Sequence, residues 1–459
     1  MWTQRDQVQA YQFLRRRLVS ALVSGDANHP VSPSRRLILG SILGLAGALL
    51  VTAGFGIYGL VRPGASSDWR KTGQVVVASD TGASYVFASD GRLHPMTNYA
   101  SARLLAGGDG TATASVSAKS LSAAPRGTEL GIPGAPEALP AKASLLSGPW
   151  TVCAQRPPGG PADATSVTTA LLGARPAGRA LADTDALVVR DPRGQRYLLA
   201  QGRRFRMAAW AATAIGVEAV TPVRVPWSFL DAVPLGPDLA ALPLSHIGSP
   251  GPRLGGRDTA VGQVLRTAAV GTRGFRYYVV DGADGVRPVT EFAATLLLNS
   301  AADKQAYPGG VPRPVDVAAA DVAEAVHGAG DDPAYPERVP RALSGADDLA
   351  VCATGATGAP TALMLATSAV PPGAKPMPVS GGDDRTADAV YVPPGRGSLV
   401  RAGTVYLVTD QGRRFPVADA AALKALGYGS VRPQPVPATT LALLPTGPTL
   451  STSAAAEVA

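Results

Sequence analysis

A short stretch recurs four times along this 459-residue chain, and it constrains the fold more than any single residue does. The copies run Tyr85–Met96, Tyr197–Met207, Tyr278–Val289 and Tyr406–Val417. Each opens on an apolar run, turns at a glycine, returns through basic or apolar residues and leads into an Ala/Leu-rich segment. Repetition of this kind marks one supersecondary unit used several times. It points to a scaffold rather than to a single catalytic cleft. The pattern continues downstream. Val116, Leu121, Pro125 and Gly127 are spaced like Val225, Leu230, Pro234 and Gly236, and like Val436, Leu441, Pro445 and Gly447. The third copy keeps Val317, Val322 and Gly328 at those offsets and places Val326 where the others have proline.

Each unit reads as strand, turn, strand, helix and closing segment. Alternating apolar residues near Tyr85 and Tyr406 suit short half-buried strands. Asp90-Gly91 and Gln411-Gly412 suit the turns, and Ala420–Leu426 suits a short helix stopped by Gly427. Between the repeats lie two stretches without the pattern, each holding one of the two cysteines, Cys153 and Cys352. The expected fold class is therefore α+β: an N-terminal amphipathic helix, a single transmembrane helix, then an elongated extracytoplasmic part with four small β-hairpin/helix repeats around a disulfide-stapled central domain. The boundaries are a cytoplasmic arm at 1–36, a span at 37–61, repeat one at 68–137, a first central segment at 138–180 and repeat two at 181–245. Repeat three follows at 256–331, a second central segment at 332–395, repeat four at 396–451 and a loose tail at 452–459. The Pro/Gly stretch Gly248–Arg257 reads as a joint.

No charge occurs between Arg36 and Arg62. The run Leu37–Val61 makes about 37 Å of helix, enough to cross a hydrocarbon core of about 30 Å. It is longer than the apolar region of a signal peptide and lacks a small-residue cleavage site before the polar sequence, so it reads as an uncleaved anchor. The arm before it carries Arg5, Arg15, Arg16, Arg17, Arg35 and Arg36 against Asp6 and Asp26. The positive-inside rule then puts residues 1–36 in the cytoplasm and the large remainder in the periplasm or outside the cell membrane. Val8, Tyr11, Leu18 and Leu22 recur at helical spacing along the arm and form a candidate partner-binding stripe. A basic amphipathic helix serves equally to lie on anionic lipid or to dock on a cytoplasmic protein. Gly40 and Gly44 permit close helix approach within the span, a weak signal alone.

The chain carries a net charge of +8, about half of it on the arm, and the rest is spread through turns rather than concentrated in a nucleic-acid footprint. An exported cysteine pair usually bonds, here closing a 199-residue separation. Neither cysteine has metal-ligand spacing to another Cys or His, so no metal or other cofactor is expected. Catalytic signatures are missing as well. No Gly-Lys dipeptide exists for a phosphate-binding loop, and neither Gly-x-Ser-x-Gly nor Ser-x-x-Lys occurs. His29, His94, His246 and His327 are far apart, and His94 occupies a repeat position held elsewhere by Phe or Arg, which argues packing. Asp90, Asp284 and Asp410 lie in or beside turns, where aspartate bonds locally. The basic hairpins at Arg203-Arg204 and Arg413-Arg414 offer a second reading, a membrane-anchored protein holding peptidoglycan or wall polymers.

Four features in order resemble the EccB family: the arm Arg5–Ser24 followed by one span, the stretch Ser89–Leu105, the motif Gly131–Pro136, and Trp150–Cys153. EccB is the B subunit of the ESX-type, or type VII, secretion membrane complex of actinobacteria. The resemblance covers nearly the whole chain. It implies a structural subunit working beside an EccC motor ATPase, EccD, EccE and a mycosin protease, with self-association of the extracytoplasmic part. It also implies repeats akin to a phage-lysin wall-binding fold and a disulfide between Cys153 and Cys352. ATP hydrolysis has been proposed in the family, and this sequence offers no loop for it.

Overall fold

A computed structural model describes residues 3–27, 33–61, 69–109, 112–161, 163–269, 274–327, 334–346, 348–355 and 361–459. The chain divides into two compact units. The first holds residues 1–71, 76–83 and 114–124 and contains the helices Gln4–Ser24 and Pro33–Val61. Within the second helix, Ile38–Phe55 is long and apolar enough to cross a membrane, the one such stretch among the described residues. The second unit, 72–75, 84–113 and 125–459, is mixed α+β with the strands dominant.

At the centre of the second unit lies a seven-stranded sheet. Its middle pair is Trp150–Gln155 against Ala350–Gly355, antiparallel, with Cys153 directly opposite Cys352. Those two cysteines are bonded to each other and fully buried. Each middle strand brings a hairpin partner, Val167–Leu172 on one side and Ala362–Ala366 on the other. Side chains alternate across the faces, as strand geometry requires. Trp150, Val152, Ala154, Val351 and Ala353 face one core; Cys153 and Cys352 face another with Leu171 and Met364.

The sheets of repeats two, three and four share one topology, third strand, second, first, fourth, and in repeat two Arg341–Ala342 pairs with the first strand as a fifth. The first three strands form an antiparallel meander, and the fourth returns parallel to the first after a helix. In repeat two the fourth strand is Val223–Arg224 beside Asp185–Arg190; in repeat three it is Val315–Asp316 beside Val264–Ala268; in repeat four it is Gln434–Pro435 beside Ser398–Ala402. Repeat one has the hairpin Ser84–Phe87 with Leu93–Pro95, then the helix Tyr99–Ala106. Its strands Val75–Ala78 and Thr113–Val116 also lie together, since Ser79 N–H donates to the Val116 carbonyl. The four repeat tyrosines hold one register, opposite Pro95, Arg206, Pro288 and Pro416. Asn98, Thr290 and Asp419 cap the helices of repeats one, three and four through their side chains.

The Pro-x-Gly motif now has a physical role. It runs parallel along the outer edge of the third strand. Pro125, Pro234 and Pro445 accept from the N–H groups of Leu93, Arg204 and Arg414, while Gly127, Gly236 and Gly447 donate back to the same residues. The glycines leave room for a ring lying on them, His94, Phe205 or Phe415. Proline on the third strand is tolerated because it sits at the sheet edge, where an N–H is dispensable. Repeat three departs from its expected alignment. Val286 donates to Ala325, Val326 bridges Val286, and His327 donates back, so Ala325 rather than Val326 holds the proline position. The whole closing segment is one residue short, and the ring contact is inverted: His327 lies against Gly285.

The cores pair the repeats. Repeat two and repeat four share a core with one face of the central sheet. Repeats two and three share another through Phe205, Phe292 and Tyr335. Repeats one and four share a third through Leu104, Ile132, Phe415 and Tyr428. Packing is seen at three of the expected boundaries. In the stretch Gly248–Arg257, read as a joint, Pro250 pairs Ala260, and Leu254 is buried under repeat three. Near the start of the expected second central segment, Tyr335 packs with repeats two and three and Arg341–Ala342 pairs with Asp185–Ala186. The tail 452–459 is docked, not loose: Ala455 is buried, Val458 bridges Leu130, and Glu457 accepts from Gly131 N–H. Alanine and valine there were too weak a signal to mark packing.

A methyl group at Gly236 would meet the Phe205 ring at 2.5 Å. Gly236→Ala is expected to lower the stability of the second unit by about 1–3 kcal/mol, the usual range for overpacking. Urea unfolding beside Gly282→Ala, which meets nothing within 4 Å, checks this; equal midpoints for the two variants overturn the assignment.

Candidate partner-binding site

The arm forms the helix Gln4–Ser24. A capping box starts it, with Thr3 N–H and Oγ1 both donating to the Asp6 carboxylate at 3.1 and 2.6 Å. That pairing holds the Asp6 carboxyl below its ordinary range, Thr3's hydroxyl contributing most. Gly25 ends it in a left-handed conformation, φ 68°, its N–H on the Ala21 carbonyl. On this helix Val8, Tyr11, Leu18 and Leu22 are all more than half exposed, Leu22 at 77%. Leu14 completes the same stripe, and Arg15 falls within it. Phe13 lies on the far side, its ring beneath the Arg17 guanidinium at 5.7 Å. Sequence reading missed Phe13 because it is out of step with the stripe.

The residues weighed for chemistry turn out to organise local structure. His94 Nδ1 bonds the Thr128 carbonyl and Nε2 bonds Asp90, both at 2.9 Å. Asp90 also accepts from Arg92 N–H, and its carboxyl is held low chiefly by the His94 bond. Asp410 accepts from Gly395 N–H at 2.7 Å. His327 bonds the Asp284 carbonyl. His29 lies outside the described residues. Among the described residues no cluster of His, Cys, Asp or Glu suits a metal.

The basic hairpins divide in two. Arg203 and Arg413 are exposed, but their neighbours are committed. Arg204 pairs Asp231 at 3.1 Å with both side chains largely buried. Arg414 donates to Thr446 Oγ1 at 2.8 Å and lies over the Tyr406 ring. The second arginine of each turn therefore fastens its own repeat instead of facing solvent.

One carboxylate stands apart. Asp303 is fully buried in the turn Asp303–Ala306 of repeat three, and both its oxygens lack a hydrogen-bond partner. It lies against Gly262, where a Cβ would meet Oδ1 at 2.7 Å. Burial alone pushes its carboxyl up to about 7. Nearby Tyr307, pushed up to about 12 mainly by burial, accepts from Val264 N–H at 2.8 Å. Gln263 Nε2 ties the same turn to the strand through the Ala306 carbonyl. A perturbed acid often marks a functional site, but among the described residues no acid or base is hydrogen-bonded to this carboxylate, so the structure supplies no partner for acid–base chemistry there.

Comparison with known proteins gives the wider class. The family model described as "Type VII secretion system ESX-1, transport TM domain B" matches residues 1–459. The chain belongs to this EccB family, the transmembrane B component of type VII secretion. It is 30% identical to the "ESX-5 secretion system ATPase EccB5" of Mycobacterium marinum (strain ATCC BAA-535 / M), over 97% of this chain and 92% of the relative. It is 28% identical to the "ESX-3 secretion system ATPase EccB3" of Mycolicibacterium smegmatis (strain ATCC 700084 / mc(2)155), over 97% and 89%. Among solved structures it resembles a chain of an intact ESX-5 inner membrane complex, with TM-score 0.68, 27% identity and coverage of 100% and 96%. It also resembles a chain of an EccB3 dimer from the ESX-3 core complex, with TM-score 0.68, 26% identity and coverage of 84% and 100%.

Asp303 yields a pH test. Its pKa is raised on folding, so the folded state binds the proton more readily, and the penalty for charging it is absent below about pH 4. The penalty grows from there to about pH 7 and is constant above. Asp303→Asn is expected to gain stability over the parent at pH 8, by no more than about 4 kcal/mol, and to gain least at pH 4. Urea unfolding at the two pH values checks this; an identical difference at both overturns it.

Proposed function

We propose that this chain is a structural membrane subunit of a type VII secretion complex, with its N-terminal arm in the cytoplasm and its second unit on the extracytoplasmic side. On this reading the arm docks on the motor ATPase of the EccC type or on a neighbouring EccD or EccE subunit, and the repeats carry self-association and contacts to a mycosin protease. The observation that carries the reading is the uncovered stripe of Val8, Tyr11, Leu18 and Leu22 on a helix capped at both ends, in a chain that belongs to a transport-complex family. Most helical stability in proteins comes from packing an amphipathic face, so such an exposed stripe calls for a cover. Relatives carry "ATPase" in their names. The proposal for this chain is a scaffold without catalysis of its own, supported by a sequence lacking any Gly-Lys dipeptide. The wall-polymer reading rested on the basic hairpins, and the bonding of Arg204 and Arg414 within their own repeats takes away half of that support.

Burying one leucine contributes about 1.5–3 kcal/mol, so losing two weakens an interface by about two orders of magnitude or more. Leu18→Asp with Leu22→Asp is expected to leave the second unit folded and the apolar helix inserted while depleting the motor and its companions from an affinity pull-down. Intact complex and intact secretion in that variant sink the docking role and leave a lipid-facing helix. Orientation has its own test. A cysteine at exposed Gln9 is expected to resist a membrane-impermeant thiol reagent in intact cells, whereas one at exposed Gln411 reacts. The opposite labelling pattern reverses the topology.

A further inference from the structure

Repeat two holds a cleft of about 700 Å³ that none of the preceding roles uses. Its floor is the hairpin Arg196–Ala200 with Arg203–Met207, and its walls come from the turn at 191–195, the helix Trp227–Ala232 and Arg385 of the central segment. The turn is fixed from beneath. Asp191, buried, accepts from the N–H groups of Arg193 and Gln195, both at 2.9 Å, and from the Tyr197 hydroxyl at 3.5 Å. Gln195 in turn grips the Arg196 and Met207 carbonyls through Nε2 and accepts from Arg206 Nε at 3.3 Å. Asp231 is held between Arg204 and Arg385.

Arg193, Arg204, Arg206 and Arg385 face Asp191, Asp231 and Asp238 in this cleft, an excess of arginine. Asp191 and Asp231 are already satisfied by the partners just named. Arg193 stacks over the Trp227 ring at 5.7 Å and Arg206 leans on Gln195, so neither guanidinium has a carboxylate partner among the described ion pairs. Arg204 Nε is buried without a hydrogen-bond partner. An adjoining cleft shares Asp191 and Arg193 and adds Arg190 and Arg224. Planar guanidiniums with spare N–H donors are built for carboxylates. Beside them Leu235, 58% exposed, and the Trp227 face offer apolar wall.

We propose that this cleft binds an acidic polypeptide segment, with side-chain carboxylates on Arg193 and Arg206 and an apolar side chain against Leu235. The combination of arginine donors and an apolar wall favours a peptide over a bare polyphosphate, which has nothing to place on Leu235. The site is built from residues of the second unit alone and the arm belongs to the first, so it stands or falls independently of the docking role proposed for the helix.

The test uses the full chain in detergent and a fluorescein-labelled decapeptide of glutamate with one central leucine, read by fluorescence anisotropy. Arg193→Glu with Arg206→Glu is expected to weaken binding at least tenfold. A matched pair of exposed arginines outside the cleft, Arg413→Glu with Arg432→Glu, makes the same change in net charge and is expected to leave affinity within twofold. Equal loss in both variants shows a general charge effect and overturns the proposal. So does undiminished binding by the cleft variant, or equal binding of a peptide with every glutamate replaced by glutamine. Polyphosphate that competes fully while removal of the leucine changes nothing overturns the peptide assignment in favour of a phosphate ligand.

Discussion

The pairing of Trp150–Gln155 with Ala350–Gly355 is the constraint on which the second unit depends. It joins two points separated by 199 residues and locks them with a bond between residues already opposite each other. In the chain-entropy picture a crosslink over that length contributes at most about 5 kcal/mol. The strands matter as much as the sulfurs. Each segment arrives as a hairpin, and the two hairpins zip into one sheet. Because side chains alternate, the same pairing presents Trp150, Val152 and Val351 to the repeats on one face and seals the cysteines into a smaller core on the other. Repeats two and three then sit inside the closed loop, and repeats one and four lie outside it.

Within each repeat a second constraint operates. A three-strand meander followed by a helix and a parallel strand leaves the third strand as an edge, and exposed edges invite association. The Pro-x-Gly segment covers that edge from outside with two backbone hydrogen bonds, and its glycine admits the ring that fills the space beneath. Repeat three keeps the hydrogen bonds while losing both the proline and the glycine. Backbone pairing is thus the conserved quantity among the copies, and the side chains are one way of permitting it.

The legible parts of this fold were those that repeat or that obey a period. The tyrosine stretches, the turn glycines, the apolar helix and the lone cysteine pair each carry a local physical signature; the tyrosines pair across hairpins, one helix is apolar enough to cross a membrane, and the cysteines are bonded. What escaped was set by tertiary contact. Counting offsets placed Val326 at a proline position, but a one-residue slip is invisible until the Val286 N–H chooses Ala325. The tail looked polar and small, yet Val458 finds Leu130 across more than three hundred residues of chain. Arg204 and Arg414 read as solvent-facing because nothing local announces Asp231 or Thr446. The arm's stripe was legible from spacing alone, whereas the arginine cleft needed four distant segments to come together before it existed at all.

The pairing of repeats also separates this architecture from a linear repeat array. In a solenoid each repeat packs on its neighbour in sequence, and stability grows by adding units. Here the first and fourth repeats share a core. The Arg103 guanidinium from the first repeat caps the fourth repeat's helix, donating to the Ala425 and Leu426 carbonyls at 3.4 and 3.3 Å. A cation at a helix C-terminus is favourable for the carbonyls left unpaired there. Gly427, with φ +93°, makes room for that guanidinium, since a Cβ would meet it at 2.6 Å. The fourth repeat therefore depends on the first, and the second on the third, with the central sheet joining the two pairs through repeats two and four. Such shared cores make the repeats mutually dependent, so that a change in one is felt in its partner rather than in its neighbour along the chain.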